Sequence, residues 1–167
     1  IVNGAHADGM CKLKIVMAAD NDCLNEHEAA LLTGSFLRVD EKDGGQEKDL
    51  WYTAVSLHAQ GASHVIITLG GNGSALYTED GICYVPCVKI PEVKDPTAAG
   101  DSFIGAFCTA VCHGMHYKDA MEFANHAAAL TVSRMGAQPS LPTFQEVLAL
   151  MRKTGAEAFN CEVLQKW

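Results

Sequence analysis

Residues 95–101 read DPTAAGD, with two aspartates bracketing small residues just before the apolar run SFIGAF. Ala98, Ala99 and Gly100 carry no bulky side chain, so successive backbone amides have room to face an anion. A helix beginning here adds the favourable end of its dipole. Asp101 then has two readings. It caps the first turn, where acids are enriched, or it acts as a base that takes a hydroxyl proton while a phosphoryl group arrives. In the second reading the small residues beside it stabilise the transferring oxygens. Asp95 lies six residues earlier, too far along the chain to share one proton. It fixes the loop or helps coordinate a cation.

Two further stretches carry chemistry. TLGGNG, residues 68–73, matches neither the dinucleotide GxGxxG nor the GxxxxGK[ST] pattern. It reads as a tight turn into a hairpin, or as a nucleotide wall in which Thr68 offers a hydroxyl and the glycines allow close approach. Asn25 and Glu28 have the spacing of a capping box at a helix start; functionally, the same Glu can hold hydrated magnesium near phosphates. The seven histidines have no metal-ligand spacing, and His126 in an apolar helix reads as packed or hydrogen-bonded. The seven cysteines are read as buried or scattered thiols of a reducing compartment. CYVPC and CTAVC lack the clustered partner set of a structural zinc.

The elements that position these residues follow from periodicity. Residues 26–33 read as a helix stopped by Gly34, and 38–49 as a surface turn centred on Gly44-Gly45. A helix is expected over about 47–59, with Leu50, Ala54, Leu57 and His58 at helical spacing and Gly61 closing it. Residues 65–69 form a buried strand; 74–78 and 82–86 form a hairpin. Helices are expected over 101–113, about 118–134 and about 143–152, the last opening with a Thr143–Glu146 capping box. Small residues of the 101–113 helix, Gly105, Ala106 and Ala110, would permit close approach to a sheet. Residues 12–18 fit either a helix end or a strand, and IVNGAHA looks like a chain entering partway along a strand. Strand and helix units of this kind predict a layered α/β fold, with about four strands visible. Ligands of such sheets sit at the carboxyl ends of the strands.

Composition narrows the classes. The chain has 167 residues, one ordinary domain in size, and nearly half are hydrophobic. A formal charge of −8 with only three arginines argues against a nucleic-acid footprint. No apolar stretch reaches transmembrane length, and cytoplasm is the default expectation for location. A nicotinamide oxidoreductase lacks its dinucleotide fingerprint here.

The order of the motifs resembles the ribokinase-like, or PfkB, family of carbohydrate kinases. DPTAAGDSFIGAF looks like the family's second signature. NEHEAALLTG, VIITLGGNGSALY and ANHAAALTVSRMGAQPSLPT are similar to three further family segments, and IVNGAHA resembles a strand-end segment usually written with Asn-Pro-Ala. The resemblance implies a three-layer α/β/α ribokinase-like fold, present as a C-terminal partial domain. Residues 1–167 would be the nucleotide-binding and catalytic portion, without the N-terminal sugar-binding and lid region. It implies ATP-dependent phosphoryl transfer to a sugar's primary hydroxyl, with ribose favoured by GAQPSLP and fructose, a nucleoside or another hydroxymethyl acceptor as alternatives.

By match, Asp101 would be the base, and Ala98, Ala99 and Gly100 the anion hole. Asn25 and Glu28 would place magnesium and phosphate. Thr68, Gly70 and Gly73 would bind nucleotide, with Asn125 near the adenine. A potassium site would use Asp95, Thr97, carbonyls of the 131–136 turn, Gly136 and Ser140. Expected ligands are therefore ATP, Mg2+, K+ and a small sugar, and expected partners the N-terminal region or a second subunit. Two residues depart from the pattern. Pro96 stands where the family usually has Thr, removing an amide near the cation site, and Ala99 is read as replacing a common Gly. Because the family's first glycine-rich signature and most sugar contacts would precede Ile1, a chain of these residues alone is expected to phosphorylate sugar poorly. A noncatalytic nucleotide-binding fragment is the competing reading.

Overall fold

The computed structural model describes residues 2–3, 21–35, 45–78 and 80–156. They fall into two compact units divided after Tyr84. Expectations for residues 12–18, and for 38–44 of the surface turn, lie outside the described residues.

The first unit carries a five-stranded sheet in the order β1 (Val2–Asn3), β2 (Asn21–Asn25), β3 (His64–Thr68), β4 (Ser74–Thr78), β5 (Gly81–Val85). β1–β2 and β2–β3 are parallel, and β3–β4 is antiparallel. Two helices, α1 (Glu26–Thr33) and α2 (Gly45–Ala59), lie in the connection from β2 to β3. Their apolar positions join one buried cluster with the sheet: Ala29, Leu50, Ala54 and Leu57 meet Val65, Ile67 and Tyr77. Each buried Leu here contributes about 2 kcal/mol of transfer free energy. α1 ends where expected, at Gly34 with φ 68°, a left-handed conformation that glycine adopts without a Cβ penalty. α2 exits through His58, whose Nδ1 donates to Ala62 O at 2.7 Å.

Two expectations need correction. α2 begins at Gly45, inside the segment expected to be a surface turn. β2, with the polar sequence NDCLN, is a strand that periodicity does not anticipate. It exists because it pairs residue for residue with β3, from Asn21↔His64 to Asn25↔Thr68.

The second unit is built on α3 (Ala99–Cys112), α4 (Tyr117–Val132) and α5 (Phe144–Thr154). α3 and α4 pack through Phe103, Phe107 and Ala110 against the alanine-rich face of α4, where Ala120, Ala124 and Ala127 are buried. The Phe103 and Phe107 rings stack with centroids 6.3 Å apart. α5 docks Val147, Leu148 and Met151, and its Phe144 ring tilts on Phe123 at 5.8 Å. Ala110 is buried, in keeping with its small size, whereas Gly105 stays exposed.

His126 is buried and bonded at both nitrogens, Nδ1 to Glu122 O at 2.7 Å and Nε2 to Thr154 Oγ1 at 2.8 Å. Packing and hydrogen bonds account for it, as expected. Cys83, Cys87, Cys108 and Cys112 are free thiols, and burial pushes the Cys87 and Cys108 thiols up.

Candidate active site

In the first unit, the carboxyl ends of two parallel strands stand side by side, because Asn25 of β2 pairs in register with Thr68 of β3. Asn25 is the N-cap of α1, and the reciprocal box is complete. Asn25 Oδ1 accepts from Glu28 N at 2.9 Å, and Glu28 Oε2 accepts from Asn25 N at 3.0 Å. The capping reading of this pair is therefore sufficient for its geometry, and Oε1 takes no part in the box. Thr68 donates its hydroxyl to Leu24 O at 3.4 Å.

The glycines after Thr68 form a tight turn into β4, closed by Leu69 N donating to Gly73 O at 2.8 Å. Gly70 and Gly73 have φ 52° and 99°, which a side chain resists. A Cβ on Gly70 would also meet Glu26 Oε1 at 4.0 Å. The turn thus lies against the first residue of α1.

In the second unit, the segment before α3 hangs from the end of α4. Lys94 N and Asp95 N both donate to Val132 O, at 2.8 and 3.2 Å. That carbonyl is one of those a helix end leaves without an internal partner. Asp95 then fastens two backbones at once: Oδ1 accepts from Thr97 N at 2.9 Å, and Oδ2 from Gly136 N at 2.9 Å. Hydrogen bonds from the Thr97 side chain and amide, then from the Gly136 amide, hold the Asp95 carboxyl below the usual range. Loop fixing is the role this geometry displays. Ser140 is buried, with its hydroxyl donating to Ala137 O at 2.5 Å.

The helix start itself is unusual. Ala98 is the N-cap of α3, at φ 63° and ψ 11°, and it is the one non-glycine residue at positive φ among the described residues. Left-handed alanine costs about 1–2 kcal/mol. The position that wants glycine is therefore Ala98, not Ala99 as the motif suggests. Ala99 N donates to Pro96 O at 3.2 Å, so its amide already has a partner. Among the described residues the amides of Ala98 and Gly100 make no hydrogen bond. A Cβ built on Gly100 meets nothing within 4 Å. Asp101 is the third helical residue, exposed, in the first turn. It is not the N-cap, and the helix has no side-chain cap. Beside it opens a cavity of about 290 Å³ floored by Gly105, Ala106, Phe123 and Val147.

Asn125 is buried and points both amide protons inward, to Val85 O at 3.2 Å and Pro86 O at 3.3 Å. It ties the beginning of the 85–98 segment to α4. Sequence reasoning also missed a buried hydroxyl pair, Ser102 and Thr131, 2.8 Å apart. No local pattern signals it, since the partners are 29 positions apart.

A helix start with a backbone amide beside a carboxylate, and a glycine turn after a parallel strand, are features shared with α/β folds that bind phosphate groups. The chain belongs to the pfkB family of carbohydrate kinases, whose pattern it matches over residues 9–144. It is 40% identical to a ribokinase of Schizosaccharomyces pombe over 124 residues, 74% of this chain and 37% of that protein. Its fold is ribokinase-like. It superposes on the crystal structure of ribokinase from Thermotoga maritima with a TM-score of 0.76 at 33% identity, covering 90% of this chain and 48% of that one. A structure of Arabidopsis thaliana ribokinase complexed with ribose and ATP gives a TM-score of 0.73 at 30% identity, covering 84% and 43%. The chain spans less than half the length of each of these relatives. Among the described residues, no helix is long and apolar enough to cross a membrane.

Proposed function

We propose that this chain is the nucleotide-binding and catalytic portion of a kinase that moves the γ-phosphoryl group of ATP to the primary hydroxyl of a sugar, with ribose as the favoured acceptor. The observation that carries the reading is the start of α3, where the Gly100 amide, without a partner among the described residues, and the Asp101 carboxylate share one helical turn. The similar Arabidopsis ribokinase, complexed with ribose and ATP, supports both substrates.

In this mechanism Asp101 takes the hydroxyl proton of the acceptor. The alkoxide oxygen forms its bond to the γ-phosphorus as the bond to the β-phosphate oxygen breaks, and ADP leaves. The Gly100 amide and the α3 dipole stabilise charge on the transferring oxygens. Thr68, Gly70, Gly73 and Asn25 bind the nucleotide, the glycines by close backbone approach. Asn125 acts near the adenine by holding residues 85 and 86 rather than through its own amide protons. Glu28 is the proposed magnesium residue, through the oxygen its capping box does not use; the ion would neutralise phosphate charge. Asp95, Thr97, Gly136 and Ser140 are the proposed potassium residues. Of this set Asp95 offers the carboxylate, whose Oδ1 and Oδ2 already accept from the Thr97 and Gly136 amides, so an ion would share oxygens that the loop uses.

The test is ATP-dependent phosphorylation of ribose, with magnesium and potassium, by the full-length protein containing this chain. Asp101→Asn is expected to lower kcat by roughly 10²–10⁴-fold with ATP binding retained. Undiminished turnover by that variant would refute the base. A second reading is nucleotide binding without transfer. It predicts ATP binding with no turnover of ribose, fructose or nucleosides.

A further inference from the structure

Ser102 follows the proposed base directly, yet the two side chains have opposite fates. Asp101 is exposed and Ser102 is buried, at 7% exposure. The Ser102 hydroxyl meets that of Thr131, fully buried in the last turn of α4, at 2.8 Å. Thr131 Oγ1 also lies 3.1 Å from Ala127 O. A hydroxyl has one proton, so Thr131 serves only one of these acceptors at a time. The arrangement that uses both protons is a relay in which Ser102 donates to Thr131 and Thr131 donates to Ala127 O. Buried hydroxyls left unpaired are costly, and this order leaves neither unpaired.

The pair sits where the helix is weakest. α3 has no side-chain cap and enters through a left-handed alanine. Uncapped first turns are prone to fray. The same end of α4 holds the segment upstream, through Val132 O to the amides of Lys94 and Asp95, and through Gly136 N to Asp95. Residues 94–102 are therefore fastened at both ends by one turn of α4 and the residues after it. Ser102 is rotated about 100° from Asp101 around the helix axis, so holding Ser102 holds the direction in which the Asp101 carboxylate points.

We infer that Ser102 and Thr131 are positioning residues, a buried hydroxyl pair that replaces the missing helix cap and sets the orientation of Asp101. The inference rests on the kinase reading for its consequence, but not for its geometry. Two readouts separate them. Amide hydrogen exchange is measured on the full-length protein with Thr131→Val, Ser102→Ala, and Thr131→Ser, which keeps the hydroxyl. Steady-state kinetics are run on the same proteins.

Both hydroxyl deletions are expected to speed exchange at residues 100–103 about tenfold, without changing α5. Both are expected to lower kcat about tenfold with KM for ATP unchanged, and Thr131→Ser is expected to restore both. Adding the second deletion to the first should have little further effect. Unchanged exchange at residues 100–103 would overturn the inference, as would equal acceleration throughout the unit or a failure of Thr131→Ser to restore. If the wild-type protein phosphorylates no sugar, the kinase reading fails by its own assay and the exchange data still decide the positioning.

Discussion

Gly100 separates a structural role from a chemical one at a single atom. It is helical, and its added Cβ would meet no neighbour. By helix propensity alone, Gly100→Ala should stabilise the protein by up to about 1 kcal/mol. The proposed function makes that open space the place where a phosphoryl oxygen approaches the amide. The expected outcome is therefore a raised melting temperature together with a fall in phosphoryl transfer of at least tenfold. A stabilised variant with full activity would leave DPTAAGD as a turn and no more. Residue types alone make this stretch readable, since small residues beside an acid have few physical uses. The left-handed conformation of Ala98 is not readable in the same way, because φ at one residue depends on what the loop before it is tied to.

At the scale of elements, α5 carries its signals in its own sequence. Thr143 and Glu146 form the expected box: Glu146 N donates to Thr143 Oγ1 at 3.4 Å, and Thr143 N donates to Glu146 Oε2 at 2.7 Å. Arg134 adds a 2.6 Å ion pair to Glu146 Oε1. The Arg134 hydrogen bond first, then those of Thr143, lower the Glu146 carboxyl to about 2 from 4.5. The folded state thus binds this proton less readily than the unfolded chain. The stabilisation is present above pH 4.5 and is lost as pH falls from there through about 2.

Glu146→Gln should flatten the acid limb of the stability curve between those values, as followed by helical circular dichroism. An unchanged limb would mean the pair contributes nothing there. The pair is half-exposed, so added salt should shrink the difference. α1 is equally readable, from its Asn25 cap to Gly34. β2 is not, because NDCLN has neither alternation nor an apolar run, and its ladder partners lie about forty positions away in β3.

Across the whole molecule, each unit is organised around its own buried residues. In the first, Leu57 is fully buried among Leu50, Val65 and Tyr77. Leu57→Ala should cost about 2–5 kcal/mol, measured as a shift in denaturant midpoint at constant m-value. A loss below about 1 kcal/mol would mean the site collapses around the missing methyls. The features of this chain that its residue order suffices to specify are local or compositional. Helix caps, turn glycines, the buried β3 run, the negative charge and the family-typical motifs all act within a few residues of one another. The pairings between distant segments come from the folded chain instead: β2 with β3, Asn125 with residues 85 and 86, Asp95 with Gly136, and Ser102 with Thr131. Those contacts form because a buried polar group must find a partner wherever the folded chain offers one, and sequence spacing carries no record of that choice.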